Sequence, residues 1–491
     1  MTTHRIRVDF HGGTLRLRTV DDPDGGSDDG SVGDLTRFDP AAVTAVPLTR
    51  DDRDDVLRCD ASHAATLRRD LTAAPLIDVA WDVPGGASTP GDRWSVELVR
   101  RDAVRLRPDQ RAALDDWRRG GCRGVVVMPT GTGKTVVAVE AMIALGVSTL
   151  VVVPVRDLMY QWHDRILDAV GVDAGLIGDG VHRVAPISVT TYDSAAIHMP
   201  RIGNRFDLLV FDEAHHLTGR YRRDAARMST AAYRLGLTAT PPSDPERFAV
   251  LSASIGPVVH EIPIDASRGD TLADYRVRRI PVRMTDDEVA AHKECSRIIQ
   301  AFVADRFEDD ADFRWDQIHA MVADGETDPV LAAAARDATI AHRRKRAIEE
   351  NADAKMRTLE DLFRLHADEP VLVFTGSNVM ARRVATRFLV PCLLSHCGKS
   401  ERREYLKGFA DGRYPVLVAN RVLDEGVDVP AAKVAIVIGG MSSPRQATQR
   451  LGRVLRRTDD GRPATLYEVV TEDSGEVQRS RDRRRTAAYR R

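Results

Sequence analysis

Short apolar runs without alternation characterise the chain from residue 124 onward. Runs of four to six apolar residues, separated by segments of helical periodicity, are typical of buried parallel strands in layered α/β folds. They form two groups with a long helical stretch between them, and this pattern predicts two α/β lobes in tandem. The runs are 124–128, 149–154 and 207–211 in the first group, and 371–374, 416–419 and 434–438 in the second.

Residues 1–98 show a different pattern, which predicts a small α+β module. Residues 5–20 alternate apolar and polar positions around a His-Gly-Gly turn at 11–13, and this indicates a β-hairpin. The acidic, glycine-rich stretch 21–34 is typical of a flexible loop. Two prolines and three glycines within 83–93 predict a linker that ends the module.

The helical stretch between the two groups begins with a recognisable start signal. Thr285 is followed three residues later by Glu288, which is the form of a capping box, and a helical stripe of apolar positions follows. The expected organisation is a module over 1–98, a first lobe over 99–275, a helical insertion over 286–350, a second lobe over 351–475 and a basic tail over 476–491.

The overall charge at first argues against a nucleic-acid partner. The chain has 71 Lys and Arg against 73 Asp and Glu, a formal net charge of -2. The distribution is uneven, because residues 1–100 carry 12 basic and 18 acidic side chains, whereas residues 477–491 carry 7 basic and 1 acidic. A groove that binds nucleic acid needs local and not net positive charge, so this class of partner stays open.

Composition excludes other classes of protein and site. No run of 18 apolar residues occurs, so no membrane partner is expected. Five cysteines without a CxxC pair indicate reduced thiols, and a cytoplasmic location is expected.

A glycine-rich turn follows the first apolar run. The segment 129–135 (PTGTGKT) lies between that predicted strand and a helix-like segment. Such a turn points backbone N–H groups at an anion, with the helix N-terminus behind them. Lys134 could then reach the β- and γ-phosphates of a nucleotide, and the Thr135 hydroxyl could hold Mg²⁺. A variant phosphate loop is therefore predicted, with Met128 where the general pattern has glycine.

Two acids follow the third apolar run. Asp212 and Glu213 lie at the end of a predicted strand, 78 residues after Lys134. A carboxylate in this place can bind Mg²⁺, and its neighbour can orient or deprotonate the attacking water. Together with the phosphate loop, the pair predicts hydrolysis of a nucleoside triphosphate. The later segment 237–240 (LTAT) could pass the state of the nucleotide to a neighbouring surface.

Arginines recur every three residues near the end of the second group. On a helix, Arg450, Arg453 and Arg456 share one face with Gln449. A solvated basic helix explains this spacing, and so does a second interpretation. If two lobes face each other across a cleft, these guanidinium groups could reach the γ-phosphate, and such arginine fingers accelerate hydrolysis by about 10³–10⁵.

The order of these motifs resembles the superfamily 2 helicases and translocases, and more narrowly the archaeal XPB-like branch with a DEAH box. The resemblance is clear over 100–491, and over 1–95 it rests on the position of a short β-rich module. It implies two RecA-like lobes, a DNA-recognition-like N-terminal module and a thumb-like insertion that grips DNA. The matching segments are 128–135, Asp-Glu-Ala-His at 212–215, Leu-Thr-Ala-Thr at 237–240, 422–430 and 446–456.

The resemblance also implies a role for each residue of the nucleotide site. Gln110 would read the adenine, Gly426 would approach the γ-phosphate, Asp428 would contact the ribose, and Arg453 and Arg456 would be the fingers. The implied ATP-binding residues are Arg107, Gln110, Pro129, Thr130, Gly131, Thr132, Gly133, Lys134, Thr135, Gly426 and Asp428. The implied Mg²⁺ ligands are Thr135 and Asp212. The implied catalytic residues are Lys134, Asp212, Glu213, Gln449, Arg453 and Arg456.

Nucleic-acid contacts are implied for Arg156, Thr191 and Tyr192, and DNA is the expected partner, whether forked, single-stranded or damaged duplex. Archaeal relatives work beside a nuclease, so a nuclease partner is implied, and a monomer is expected. The sequence departs from the family at Asp109, where an aromatic residue is usual. It departs again at 241–247, where XPB relatives carry an Arg-Glu-Asp triplet linked to strand separation.

Three hypotheses about function stay open at this point. The first is an ATP-dependent DNA helicase or translocase of a repair pathway. The second, motivated by the missing triplet, is a damage-binding scaffold that clamps DNA with ATP and recruits a nuclease without separating strands. The third is an RNA-directed DExH helicase, because such motifs do not distinguish DNA from RNA. A restriction-type or remodelling translocase is a further alternative.

Overall fold

The computed structural model divides the chain into two compact units, residues 1–263 and 264–491. Among the described residues, no helix is both long and apolar enough to cross a bilayer. The described residues are 4–19, 43–75, 77–83, 96–129, 131–262, 275–309, 313–323, 328–394, 396–420, 432–439 and 464–484.

The N-terminal part of the first unit is a five-stranded sheet with one helix. Its elements are β1 His4–His11, β2 Thr14–Thr19, β3 Thr49–Asp51, β4 Val56–Asp60, β5 Ile77–Asp82, a 3₁₀ helix Ala61–His63 and α1 Ala64–Ala73. The strand order is β3-β4-β2-β1-β5. Strands β1 and β2 pair antiparallel from Ile6–Thr19 to His11–Thr14, which confirms the predicted hairpin. Alternate residues of this hairpin, such as Val8 and Leu17, are buried together with Leu67 of α1.

Asp60 and Gly13 of this module contact the rest of the first unit. Asp60, at the end of β4, accepts two hydrogen bonds from the Arg227 guanidinium, at 2.9 and 3.1 Å. Gly13, in the hairpin turn with a φ of +84°, lies so close to Met228 that an added Cβ would be 2.7 Å from Met228 Cγ. Both the backbone conformation and the close approach therefore favour glycine at position 13.

The larger part of the first unit is an eight-stranded sheet with the order β13-β6-β12-β11-β7-β10-β8-β9. Its pairs are parallel except for β8 with β9. Its strands are β6 Arg123–Val127, β7 Thr149–Val153, β8 Gly175–Gly178, β9 Val181–His182, β10 Ile187–Thr191, β11 Leu208–Asp212, β12 Tyr233–Thr238 and β13 Val258–Glu261. Its helices are α2 Pro108–Arg119, α3 Lys134–Leu145, α4 Arg156–Val170, α5 Tyr192–Ile202, α6 Asp224–Arg227 and α7 Pro245–Ser254, with a 3₁₀ helix Ala214–Thr218.

Strands β6, β7 and β11 of this sheet are buried on both faces, which explains their continuous apolar runs. Val126 and Val210 pack into the cluster on one face, whereas Val127 and Phe211 pack into the cluster on the other. A strand whose neighbouring side chains point to opposite, equally buried faces favours apolar residues at every position. The runs predicted at 124–128, 149–154 and 207–211 are confirmed as β6, β7 and β11.

The second unit contains a six-stranded parallel sheet with the order β14-β19-β18-β15-β17-β16. Its strands are β14 Tyr275–Val282, β15 Val371–Thr375, β16 Cys392–Leu393, β17 Val416–Ala419, β18 Val434–Ile438 and β19 Ala464–Thr471. The predicted runs 371–374, 416–419 and 434–438 are confirmed as strands. Strand β14 begins at Tyr275, where the first lobe was expected to end, and it pairs with β19 over its whole length.

The second unit also contains helices. They are α8 Asp286–Asp309, α9 Ile318–Ala323, α10 Pro329–Asn351, α11 Ala354–Leu365, α12 Asn378–Phe388, α13 Lys399–Ala410 and α14 Gly475–Arg484, with a 3₁₀ helix Trp315–Gln317. Of these, α8, α9 and α10 pack on one another. The capping box at the start of α8 is confirmed, since Glu288 N–H donates to Thr285 Oγ1 and Thr285 N–H donates to Glu288 Oε2. Helix α14 occupies the first half of the segment expected to be a basic tail, and it buries Glu476 and Ser480.

Candidate nucleotide-binding site

The order of strands in the first unit gathers the predicted motifs at one edge of its sheet. Strands β6, β12 and β11 are parallel neighbours, and β7 and β10 continue the sheet beyond β11. The carboxyl ends of parallel strands meet at the same edge, where α/β proteins bind ligands. The phosphate loop after β6, the segment after β12 and the acids at the end of β11 therefore lie at this edge.

The phosphate loop has the backbone conformation that glycine allows. Gly131 and Gly133 have φ values of +86° and +79°, in the left-handed region. Gly133 is the N-cap of α3, and an added Cβ there would be only 2.4 Å from Gln110 Nε2. Pro129 and Thr132 are buried, and the Thr132 hydroxyl donates to Pro129 O at 2.6 Å. The loop is thus a braced turn in front of a helix N-terminus, which suits an anion such as phosphate.

Lys134, the first residue of α3, lies within the loop. Its side chain is buried, and its ammonium donates to Met128 O at 3.1 Å and to Pro129 O at 3.3 Å. These acceptors are neutral carbonyls, so phosphate oxygens would be the stronger partners for the ammonium. The position of Lys134 therefore suits the phosphate-binding role that the motif predicts.

Gln110 and Arg107, at the start of α2, brace the same loop. Gln110 is 2% exposed, its Nε2 donates to Thr132 O at 2.9 Å, and its Oε1 accepts the Arg107 N–H at 3.1 Å. The Arg107 guanidinium also donates to Thr132 O. Asp109, where the family has an aromatic residue, pairs with Arg107 at 3.2 Å. At position 109 an ion pair with Arg107 therefore stands where an aromatic side chain is usual in the family.

Asp212, at the end of β11, is held by two hydrogen bonds. Its Oδ1 accepts the Glu213 N–H at 3.0 Å, and its Oδ2 accepts the Trp162 indole N–H at 2.8 Å. The carboxylate is 8% exposed. Burial raises the pKa of Asp212, while the hydrogen bond from Trp162 and the nearby charge of Lys134 oppose that rise. A bound cation would favour the ionised carboxylate in the same way.

Glu213 adopts a left-handed backbone conformation, with φ +47° and ψ +55°. A non-glycine residue held there stores strain of about 1–3 kcal/mol, and such residues cluster at functional sites. Its Oε2 lies 3.5 Å from His215 Nδ1, and that nitrogen is also 3.1 Å from Thr238 Oγ1. Since Thr238 ends β12, His215 links Glu213 to the segment 237–240.

A hydroxyl and a carboxylate are the oxygen ligands that Mg²⁺ prefers, and Thr135 and Asp212 supply them. Asp212 is buried beside the charge of Lys134. Thr135 follows Lys134 directly and is half-buried. The chemistry of this donor set fits Mg²⁺ bound together with a nucleotide phosphate.

The residues expected to contact nucleic acid differ in exposure, since Arg156 is largely exposed whereas Thr191 and Tyr192 are buried. Arg156 begins α4, and its guanidinium is largely exposed although it pairs with Asp179 at 2.7 Å. The Thr191 hydroxyl accepts the Ser194 N–H and caps α5. Tyr192 is fully buried, and its hydroxyl donates to Asp212 O at 3.0 Å. The Tyr192 side chain therefore supports the end of β11, and the expected contact of this residue with a nucleic-acid strand stays a prediction.

Several expected site residues lie outside the described residues. They are Thr130, Gly426, Asp428, Gln449, Arg453 and Arg456.

Sequence reasoning missed Trp162 and the loop contact of Gln110. Trp162 lies 50 residues before Asp212 and belongs to no short motif, so only the packing of α4 on the sheet reveals its hydrogen bond. The sequence offered only one signal for this role, namely the position of Trp162 on the apolar face of α4.

Comparison with protein families places two known domains on the chain. Residues 103–243 match the family described as "Type III restriction enzyme, res subunit". Residues 354–458 match the "Helicase conserved C-terminal domain".

Curated relatives match over most of the chain. The "DNA 3'-5' translocase XPB2" of Sulfurisphaera tokodaii is 37% identical over 78% of this chain and 85% of its own length. The "Putative DNA 3'-5' helicase Rad25" of Halobacterium salinarum is 30% identical over 88% of this chain and 65% of its own length. The "DNA 3'-5' helicase XPB" of Kineococcus radiotolerans is 28% identical over 84% of this chain and 68% of its own length.

A solved structure supports the fold. The helicase domain of Pyrococcus furiosus Hef aligns with a TM-score of 0.56 at 18% identity, and the alignment covers 79% of this chain and all of that one. At this identity the likeness concerns the fold alone, which is that of two tandem RecA-like domains.

Proposed function

Because this chain belongs to the XPB family of DNA helicases and translocases, and is an ATP-dependent enzyme of that class, we propose that it moves along DNA with 3'-5' polarity. The polarity and the DNA substrate come from the names of the relatives. The observation that carries the use of ATP in this proposal is that Lys134 and Asp212, both buried, lie at the same edge of one parallel sheet.

The geometry supports a division of labour among the residues of this edge. The N-terminus of α3 and the loop N–H groups bind phosphate oxygens, and Lys134 exchanges its two carbonyl acceptors for the β- and γ-phosphates. Mg²⁺, when bound, would neutralise charge on the phosphates. The Glu213 carboxylate orients the attacking water and accepts its proton. The contact of His215 with Thr238 keeps Glu213 in place.

For residues outside the described ranges, the proposed roles rest on the family resemblance alone. Arg453 and Arg456, with Gln449, would stabilise charge on the transferred phosphoryl group. Gly426, Asp428 and Thr130 would complete the contacts with ATP.

One experiment tests the proposal most directly. ATP hydrolysis is measured with single-stranded, duplex, forked and bubble DNA and with matched RNA, while strand separation is followed in the same samples. We expect stimulation by DNA, and stimulation by RNA alone would favour the RNA-directed alternative. Lys134→Ala should abolish hydrolysis with an unchanged circular dichroism spectrum, and hydrolysis that persists in this variant would refute the assignment of the site.

A translocase or clamp that does not separate strands is a second candidate, and the segment 241–247 favours it. Asp244 caps α7 by accepting the Arg247 N–H at 2.9 Å, so the acid and the arginine of this segment both belong to a helix start. The Sulfurisphaera tokodaii relative is named a translocase and not a helicase. Robust opening of a forked duplex would exclude this candidate, whereas displacement of a bound protein without opening would support it.

The remaining expectations about partners are proposals of the same kind. We propose a monomer that acts on DNA in the cytoplasm, in DNA repair, beside a nuclease partner. Light scattering on the free and the DNA-bound protein tests the monomer, and a mass above one chain would contradict it.

A further inference from the structure

Two helices of the first unit begin at expected nucleic-acid contacts and also reach Asp212. Helix α4 starts at Arg156, and Thr191 caps helix α5. Each helix sends one aromatic side chain with a hydrogen-bond donor to the end of β11. These side chains, Trp162 and Tyr192, connect an exposed edge of the unit with its buried carboxylate.

Trp162 makes the first connection. It lies six residues after Arg156 on α4, is 2% exposed, and donates its indole N–H to Asp212 Oδ2 at 2.8 Å. A hydrogen bond to a buried carboxylate is among the stronger kinds, because the acceptor is charged and poorly solvated. The bond therefore fixes the rotation of the Asp212 carboxylate relative to α4.

Tyr192 makes the second connection. It is the first residue of α5 and directly follows Thr191, whose hydroxyl caps the helix. Its buried hydroxyl donates to the backbone oxygen of Asp212 at 3.0 Å, and its ring lies 6.2 Å from that of Phe211. This contact fixes the main chain of β11 at the residue that carries the carboxylate.

These two contacts leave Asp212 little freedom of its own. With the Glu213 N–H on Oδ1, the carboxylate and the backbone oxygen of Asp212 are bound by donors from α4, α5 and the loop after β11. A carboxylate has about four lone-pair sites, so acceptor capacity remains for a metal ion or its water. Because protein interiors are close-packed, a shift of α4 or α5 moves Asp212 as well.

We propose that Trp162 and Tyr192 are positioning residues that tie the two strand-contacting helices to Asp212, so that a bound nucleic-acid strand sets the placement of this carboxylate for Mg²⁺ and nucleotide. The inference deepens the proposed function and rests on it. Through these two hydrogen bonds, contacts of a nucleic-acid strand at Arg156 and Thr191 would raise the rate of ATP hydrolysis. The same bonds assign a role to two buried side chains.

The chain offers a matched control for the loss of a buried indole donor. Trp117 is fully buried in the same unit and donates its indole N–H to Arg234 O at 2.9 Å, a backbone carbonyl of β12. Trp117→Phe and Trp162→Phe therefore remove the same group from similar surroundings, but only the second touches Asp212. Tyr192→Phe removes a single hydroxyl and keeps the ring.

The test measures binding separately from hydrolysis. Labelled ADP is bound to each full-length variant in a Mg²⁺ titration and again in EDTA, and the affinity for a single-stranded DNA is measured by anisotropy. ATP hydrolysis is then compared with and without that DNA. Thermal unfolding of each variant reports the cost to stability.

Trp162→Phe should raise the Mg²⁺ concentration for half-maximal ADP binding roughly ten-fold, as expected for a lost hydrogen bond to a charged group. Its affinity for ADP in EDTA and for DNA should stay at the wild-type level, and its stimulation by DNA should fall. Tyr192→Phe should change both quantities in the same direction but less, because its acceptor is a neutral carbonyl. Trp117→Phe should lower stability alone.

The proposal is overturned if Trp162→Phe keeps the wild-type Mg²⁺ midpoint and the wild-type stimulation, whatever its loss of stability. In that case the indole serves packing only, as in the control. If the wild-type protein is stimulated by no strand, the proposed function fails instead. The Mg²⁺ midpoints still decide whether Trp162 and Tyr192 position Asp212.

Discussion

The Gln110 side chain has two roles to account for, one toward the adenine and one toward the phosphate loop. The family resemblance implies that it reads the adenine, whereas its described contacts join Thr132 O of the phosphate loop and the Arg107 N–H. An added Cβ at Gly133 would also meet its Nε2 at 2.4 Å. The residue therefore supports the shape of the loop that receives the phosphates.

We predict that Gln110→Ala weakens the binding of inorganic pyrophosphate as well as that of ATP. The variant removes the donor to Thr132 O, and a net hydrogen-bond contribution of about 1 kcal/mol corresponds to roughly five-fold in affinity. Calorimetric titration with pyrophosphate, ATP and GTP measures the effect. Unchanged pyrophosphate binding together with lost preference for ATP over GTP would show that Gln110 acts on the base alone.

Among single residues, the sequence predicted those that stand in short motifs. Lys134 and Asp212 stand in motifs in which strand, turn and residue type all agree. The support around them was not predictable, because Trp162 and Gln110 meet their partners 50 and 22 residues away in the chain. Tyr192 was predicted to contact nucleic acid because it belongs to a segment that resembles the strand-contacting segments of the family, yet its ring is buried in the core.

Helix α8 begins with a cap that reaches a second helix. Glu288 Oε2 accepts the Thr285 N–H at 2.8 Å, and Glu288 Oε1 accepts the Asp353 N–H at 3.0 Å, at the start of α11. One carboxylate thus satisfies the backbone at the N-termini of two helices. This contact joins the beginning of the helical insertion to the residues that follow it.

We predict that Glu288→Ala increases hydrogen exchange at the starts of both α8 and α11, whereas Thr285→Ala affects α8 alone. Loss of an N-cap hydroxyl costs about 1 kcal/mol, which is roughly a five-fold faster exchange for amides that open locally. Exchange followed by mass spectrometry measures both segments. Equal effects of the two variants at α11 would contradict the bridging role of Glu288.

The apolar-run rule recovered β6, β7 and β11 of the first sheet and β15, β17 and β18 of the second, but it missed other strands, among them β10, β12, β14 and β19. Strand β19 buries Glu468 and Thr471, which interrupt its apolar pattern. Ser480 donates to Glu468 at 2.7 Å, and Thr471 donates to the carbonyl of Glu349 at 2.7 Å. A buried polar residue with a distant partner is compatible with a core strand, but its partner is invisible in the local sequence.

A buried ion pair joins helices of the second unit. Lys355 is fully buried, and its ammonium lies 2.8 and 2.9 Å from the two carboxylate oxygens of Glu476 on α14. The ammonium also donates to Glu349 O at 2.7 Å, at the end of α10. Burial lowers the pKa of Lys355, and the charge of Glu476 opposes this effect.

We predict that Lys355→Met destabilises the second unit by about 3–5 kcal/mol, because Glu476 is left as a buried charge without its partner. The double variant with Glu476→Leu should regain part of this loss, since it removes the remaining charge. Urea unfolding, with hydrogen exchange of β19 and α14 as the local probe, measures both variants. A double variant less stable than Lys355→Met would show that the N–H of Thr471, which Glu476 also accepts, matters more than the charge.

Glu349, beside this pair, makes the stability of the second unit depend on pH. Burial acts to raise its pKa, but hydrogen bonds from Arg479 and His292 and from the Gly475 N–H outweigh burial, so the pKa of Glu349 is lowered. A carboxyl with a lowered pKa stabilises the fold above its unfolded pKa of about 4.3, and this contribution is lost as the pH falls through the folded pKa. The neighbouring Glu350, whose pKa burial raises, acts in the opposite direction.

Glu349→Gln isolates this contribution, because it keeps the shape of the side chain and leaves Glu350 in place. We predict that the wild type exceeds the variant in unfolding free energy at pH 7, and that this difference shrinks below about pH 5 as the wild-type carboxyl becomes protonated. Urea unfolding of both proteins between pH 3 and pH 7 measures the difference. A gap that stays constant over this range would mean that Glu349 stabilises α10 and α14 through its hydrogen-bonding shape and not through its charge.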